Sequence, residues 1–225
     1  IVASSFVPCS AVTTIVLGLV AKYMGIGYAL LLYLINFLVI LVVGKVMKKL
    51  DPEEDIDLII EFHDFRKPNL KVITKQAWHR SREFVYRALP LIVAFGVILE
   101  ILMEFNLLDP VNTLLKPLTV GFLGLPFGVS VYLFYGVLRK ELNLVLLQLY
   151  VTSLGLTMTE FMTPQQMIVF TLVTMLYVPC LATIVMIQRH EGTKFAVKVF
   201  FMMLGVAFLI AGAVRWIWEL VIFLS

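Results

Sequence analysis

Long apolar runs separated by short polar stretches dominate this chain, and their lengths are those of membrane helices. Six strongly apolar segments can be drawn. The first runs from Ile1 to Met24 and the second from Ile26 to Val46, with Gly25 and Gly27 making a tight connection between them. A polar stretch, 47–72, follows. From Ile73 to Arg87 the period turns helical: Ile73, Ala77, Trp78, Ser81, Phe84 and Val85 share one face, while Lys75, His79, Arg80 and Arg82 fall largely elsewhere. That pattern predicts an amphipathic helix near 73–87, lying in the membrane interface with Trp78 at headgroup depth, or a cytosolic helix packed on its own protein. The third span is 88–108, the fifth segment 164–187 and the last 195–224.

Between them, 109–155 resists simple counting. Pro110, Pro117, Gly121, Gly124, Pro126 and Gly128 punctuate its first part, and the charged triplet Arg139-Lys140-Glu141 divides the apolar remainder. Each flanking half, of roughly 13 residues, would be about 20 Å long at 1.5 Å per residue, short of the ~30 Å hydrocarbon core. These halves predict a re-entrant helical hairpin over 126–154 with charge at its tip. The alternative is one long helix with an internal salt-bridged triplet. Basic residues set the orientation: ten of the 18 Lys and Arg lie between Lys45 and Arg87, which places loop 45–87 in the cytoplasm. Residues 25, 108 and 164 are then outside and 188–198 inside.

Composition agrees with this reading. The chain is 61% hydrophobic and only 15% charged, where a soluble domain carries about a quarter charged residues. The fold class expected is all-α, a polytopic membrane protein of five to six transmembrane segments. A β-barrel is excluded because the runs are continuously apolar and not alternating. The net charge of +3 comes from the juxtamembrane loop and does not mark a nucleic-acid surface. Three units are expected: a helical pair over 1–46, a cytosolic connector over 47–87 and a helical bundle over 88–225. Ile1 opens an apolar stretch without Met or a basic leader, so the expectation is a fragment, or a chain whose preceding part was removed.

The candidate chemistry lies in a repeated tripeptide. Both cysteines of the chain sit in Val-Pro-Cys, in VPCSAVTTIV at 7–16 and VPCLATIVMI at 178–187. Pro8 and Pro179 each remove a backbone hydrogen bond and free a carbonyl, which inside a membrane needs a partner or becomes a ligand. Cys9 and Cys180 add polarizable sulfur, and Thr13, Thr14 and Thr183 add hydroxyl oxygens. Thiolate, hydroxyl and carbonyl together suit a borderline transition metal better than magnesium or calcium, and paired broken helices mark transporter binding sites. Against this, membrane prolines commonly make kinks and a buried Cys packs as a small hydrophobe. On sequence alone Cys9 and Cys180 could also form a disulfide.

Other groups are weaker candidates. Glu100 and Glu104, and Arg215 and Glu219, are spaced four apart near span ends and read as interfacial charges or pairs. Met158, Met162 and Met167 surround Glu160 and are either soft ligands at an outer mouth or packing. There is no GxxxxGK[ST], no GxGxxG and no Ser-His-Asp set, and His63, His79 and His190 lack ligand spacing. No enzymatic activity is expected.

Several stretches together resemble the FeoB ferrous iron transporter family over essentially the whole chain. VPCSAVTTIV resembles its first Gate region, and FRKPNLKVITKQAWHRSREFVYRA, 65–88, its polar connector. GVLRKELNLVLL, 136–147, resembles its Gly-x-x-Arg-Lys-Glu-Leu stretch, and TPQQMIVFTLVTMLYVPCLATIVMIQRHEG, 163–192, its second Gate region. The departures are Val12, where the family often has Arg, and the lack of a G domain and of a Gly-x-Gly-Cys type motif. The resemblance implies the C-terminal half of a permease in a bacterial or archaeal plasma membrane, with Fe²⁺ as transported substrate and no permanently bound cofactor. It implies GTP only through the missing G domain. As partners it implies that domain, the other membrane half, the lipid bilayer, a small cytosolic accessory protein and homo-oligomeric assembly, with no nucleic acid. Cys9 and Cys180 match the Gate cysteines; with Thr13 and Thr183 they form the expected metal set. Pro8, Pro179, Arg139, Lys140 and Glu141 are the pathway candidates. The rival readings are a Gate-type transporter of an organic solute such as a nucleoside, and a non-transporting membrane scaffold.

Overall fold

The computed structural model describes residues 2–50, 69–83, 85–86, 89–90, 93–94, 97, 101, 116–126, 128–138, 140–178 and 180–224. Among these the regular structure is entirely helical. Three helical stretches are long and apolar enough to cross a membrane: Val2–Met24, Ile26–Lys49 and Thr193–Leu220. The chain is a polytopic all-α membrane protein. The expected span 88–108, with Glu100 and Glu104, lies largely outside the described residues.

The first stretch is broken. Helix α1 (Val2–Ser5) stops before Val7-Pro8, and α2 (Ser10–Ile15) starts after Cys9. The cause is local: proline disfavours helical backbone at the residue before it and cannot donate the next helix bond. Beyond Ile15 the turn widens into a π-helical segment, Val16–Ala21, and then closes as α3 (Lys22–Met24). Gly25 ends it at φ 97°, ψ 162°, a region essentially reserved for glycine. Helix α4 (Ile26–Leu50) then returns along it, about 37 Å long and ending on Lys48 and Lys49, cations that suit a helix C-terminus.

Helix α5 (Leu70–Glu83) begins three residues earlier than the sequence pattern suggested, and every side chain described on it is exposed, Trp78 at 71%. The alternative in which this helix packs on its own chain finds no support among the described residues. A π-helical turn, Pro117–Phe122, leads to α6 (Val129–Leu138) and α7 (Lys140–Ser153). These two fold back on each other: the Tyr132 and Tyr150 rings lie 5.5 Å apart, whereas one continuous helix would separate them by about 27 Å. The single long helix over 126–154 is therefore excluded; Arg139, between the two helices in sequence, lies outside the described residues.

After the short helix α8 (Met158–Phe161), α9 (Pro164–Leu176) opens with a reciprocal capping box: the Gln166 amide N–H donates to the Thr163 hydroxyl, and the Thr163 N–H to the Gln166 side chain. Pro164 at its first position is pre-set for helix. This helix is the centre of the bundle, with every residue from Met167 to Val178 buried. It ends at the second Val-Pro-Cys, α10 (Leu181–Glu191) begins after Cys180, Gly192 stops it at φ 89°, ψ 164°, and α11 (Thr193–Leu224) follows. Broken helix, glycine stop and long return helix thus occur twice. Helix α9 packs on α11, on α4 and on the π-helical segment of the first stretch, while α2 packs on α7.

Candidate functional site

Each cysteine sits at the residue where a half-helix starts. Cys9 and Cys180 have extended ψ of 172° and 156°, and neither side chain caps its own helix. Both thiols are free, which removes the disulfide alternative; Cys9 is exposed and Cys180 half-buried. The pieces beside the breaks are short. Ser10–Met24 runs about 22 Å, the 13 residues of α9 about 20 Å and the 14 residues of α7 about 21 Å. None spans alone, and α2 packs on both α7 and α9. Gly18 of the π-helical segment lies against Leu144 of α7, and the Lys140 ammonium is within electrostatic reach of both thiols.

Lys140 is 6% exposed. Its Nζ donates to the carbonyl of Thr174 at 3.1 Å and stands 5.0 Å over the Tyr177 ring. A cation thus caps the C-terminus of α9, where the proline break leaves carbonyls open and the helix dipole is negative. Around it a buried polar cluster joins the hairpin to the break. The Tyr177 hydroxyl donates to the Leu133 carbonyl at 3.1 Å. The Asn143 amide donates to Thr174 Oγ1 at 3.4 Å, and that hydroxyl donates to the Phe170 carbonyl at 2.8 Å. Gly136 makes this approach possible: a Cβ there would collide with the Tyr177 hydroxyl and lie 2.8 Å from Asn143 Nδ2. Asn143 Oδ1 is buried without a hydrogen-bond partner, as is Asn36 Oδ1 on α4.

The other expected residues divide between places. Thr183 Oγ1 lies 3.4 Å from Cys180 Sγ, so thiol and hydroxyl do meet at the second break. At the first, Thr13 Oγ1 donates instead to the Cys9 carbonyl at 3.3 Å and accepts from the Tyr33 hydroxyl at 3.0 Å. The Thr14 hydroxyl is taken up by the Ser10 carbonyl. The carbonyls of Cys9 and Cys180 accept helical N–H groups, and Thr174's is taken by Lys140, so the expectation of open carbonyl ligands is met at none of these three. Pro8 lies in the first break. Pro179 and the Glu141 side chain lie outside what is described. No group of three or more His, Cys, Asp or Glu residues is gathered as a metal cage among the described residues.

Two further expectations find an outcome here. Arg215 and Glu219 do pair, at 2.9 Å, and Arg215 also donates to the carbonyls of Gly121 and Phe122, closing the π-helical turn before the hairpin. Met158, Met162 and Met167 are 5%, 1% and 1% exposed, which makes them core and not an outer metal funnel. The Glu160 carboxylate accepts from the Thr157 N–H and hydroxyl, both at 2.7 Å, which holds its carboxyl below the usual range. Gly136 and Tyr177 entered the sequence reading only as members of the two resembling motifs, and Asn143 and Thr174 were not singled out; polar residues inside apolar half-helices were the available signal.

Comparison with known proteins adds three findings. A family model described as "Ferrous iron transport protein B C terminus" matches residues 29–80, and one described as Gate, "Nucleoside recognition", matches residues 85–194. The chain is 26% identical over 204 residues to the Fe(2+) transporter FeoB of Methanocaldococcus jannaschii; the alignment covers 80% of this chain and 30% of that protein's length. No solved structure matches.

Proposed function

The chain belongs to the FeoB ferrous iron transporter family, within its C-terminal membrane half, and on that premise we propose that it forms part of an Fe²⁺ permeation path and its gate. Cys9 and Cys180 are transient ligands of the ion. Thr183 stands beside the second thiol, and Thr13 holds the first break to α4. Pro8 and Pro179 keep the helices open, and Arg139, Lys140 and Glu141 set the charge at the hairpin tip. The observation that supports this most is geometric: α2 of the first break packs on hairpin helix α7, whose Lys140 donates to the Thr174 carbonyl just before the second break. Two sulfurs without a full cage suit a conduit, where binding must be weak enough to release the ion.

The setting is the plasma membrane, bacterial or archaeal, crossed several times, with loop 45–87 cytoplasmic. This part of the protein carries no enzymatic activity and no resident cofactor; GTP acts through a G domain elsewhere in the parent protein. That domain, the remaining membrane helices, a small cytosolic accessory protein and further copies are the partners this reading expects.

The test is anaerobic Fe²⁺ uptake by cells expressing the full-length protein with Cys9→Ser, Cys180→Ser and both, with membrane insertion measured in the same samples. Uptake lost while the protein stays inserted is the expected result. Uptake unchanged in the double variant would make the breaks packing devices. The description of the Gate model favours one second reading, passage of a nucleoside. It predicts nucleoside uptake indifferent to both cysteines.

A further inference from the structure

The hairpin tip carries a cation to the place where a transported cation would bind. Lys140 is a primary ammonium, almost wholly buried, and its contacts are what a metal ion would seek: the carbonyl at the end of a half-helix and an aromatic face, with the two free thiols close enough for their charge to act on it. Half-helix C-termini and unwound carbonyls are the usual cation seats in transporters. One turn along α7 from Lys140, Asn143 shares its face of the helix. Its Oδ1 is fully buried and accepts no hydrogen bond, so an oxygen donor stands unused on the same side chain whose amide nitrogen reaches Thr174.

We propose that Lys140 is a tethered plug: its ammonium occupies a cation site formed by the Thr174 carbonyl, Asn143 Oδ1 and the Cys9 and Cys180 sulfurs, and the transported ion must displace it to bind. This rests on the ion-path reading above. It adds an oxygen pair to the proposed ligand set, and it gives the buried charge a gating role. A stem of four methylenes lets the ammonium leave without moving the helix that carries it. While it stays, the site is closed to a second cation by like-charge repulsion at low dielectric. Competition is reciprocal: by whatever factor Lys140 weakens ion binding, the ion weakens the hold on Lys140.

The experiment uses the full-length protein, purified anaerobically, with Fe²⁺ binding measured by equilibrium dialysis on the native form, on Lys140→Met, on Lys140→Arg, on the double variant Cys9→Ser with Cys180→Ser, and on that double variant combined with Lys140→Met. If the native site is open only about a tenth of the time, Lys140→Met binds Fe²⁺ about tenfold tighter. Lys140→Arg stays near the native value, and the cysteine substitutions abolish the gain. A Lys140→Met variant that melts like the native protein yet binds no tighter would overturn the plug and leave Lys140 as a helix cap. A second readout needs no variant: acylation of Lys140 in the native protein, followed by mass spectrometry, should rise severalfold when Fe²⁺ saturates the site. Unchanged labelling with Fe²⁺ bound overturns the plug while leaving the ion path standing. Native-like Fe²⁺ binding by the double cysteine variant would instead overturn the ion path, and the plug with it.

Discussion

The two Val-Pro-Cys breaks share a backbone and differ in what surrounds it. In both, a proline stops a helix, a cysteine starts the next, and a glycine near φ 90° turns the chain into a long return helix. The first break has an exposed cysteine, and its threonine is tied to α4 through Tyr33. The second follows the buried end of α9, with Cys180 half-buried, and there Lys140, Asn143, Thr174 and Tyr177 are joined in a buried polar cluster. One tripeptide therefore dictates a break, while the neighbouring hairpin decides whether that break is closed. The first thiol is accessible, the second only partly so.

The largest expected effect separates the two breaks by crowding. Gly136→Ala drives a methyl into the Tyr177 hydroxyl and the Asn143 amide, both buried and hydrogen-bonded, and should cost about 2–3 kcal/mol, as overpacking of a tight core does. Combining it with Tyr177→Phe should return part of the loss. Gly18→Ala, on the first side, meets only the terminal methyl of Leu144 at 2.9 Å, a side chain that can yield, and should cost under about 1 kcal/mol. Thermal unfolding of the detergent-solubilised full-length protein reads all three. Equal losses for the two glycines would mean that the second break is no more tightly filled than the first.

The shared part of the comparison predicts equality instead. Gly25 and Gly192 adopt nearly the same backbone conformation, and a Cβ at either position meets no atom within 4 Å. Alanine at each should therefore cost the same backbone strain, about 1–3 kcal/mol, in the same unfolding assay. Unequal costs would break the repeat at its turn. The smallest effect is Tyr33→Phe, which removes one part-buried hydrogen bond to Thr13 and should cost about 0.5–1 kcal/mol. Fe²⁺ uptake should stay near native in that variant, because the first threonine anchors a helix and touches no thiol.

Much of this could be read from the residues in advance. The breaks follow from Val-Pro, which sterically discourages helix on its own. The hairpin follows from two apolar runs too short to span, divided by Arg139-Lys140-Glu141. Burial was harder to foresee. Lys140 read as a charge at a hairpin tip, and nothing local says that this tip inserts beneath a second break 34 residues later. Asn143 and Thr174 each look like an isolated polar residue until the fold sets them side by side. The three methionines around Glu160 had the soft-ligand chemistry of a funnel, but packing against the bundle buried them. Thr13 and Thr183 follow their cysteines at nearly matching offsets, four residues and three. That one-residue difference sends the first hydroxyl back along the helix to a carbonyl and leaves the second beside sulfur.

The claim that both breaks serve one ion is tested most directly by X-ray absorption at the iron edge on the anaerobic, Fe²⁺-loaded full-length protein. Native protein should show two sulfur scatterers bonded to iron, each single Cys→Ser variant one, and the double variant none. An iron environment of oxygen alone in the native protein, unchanged by removing Cys9 and Cys180, would contradict it.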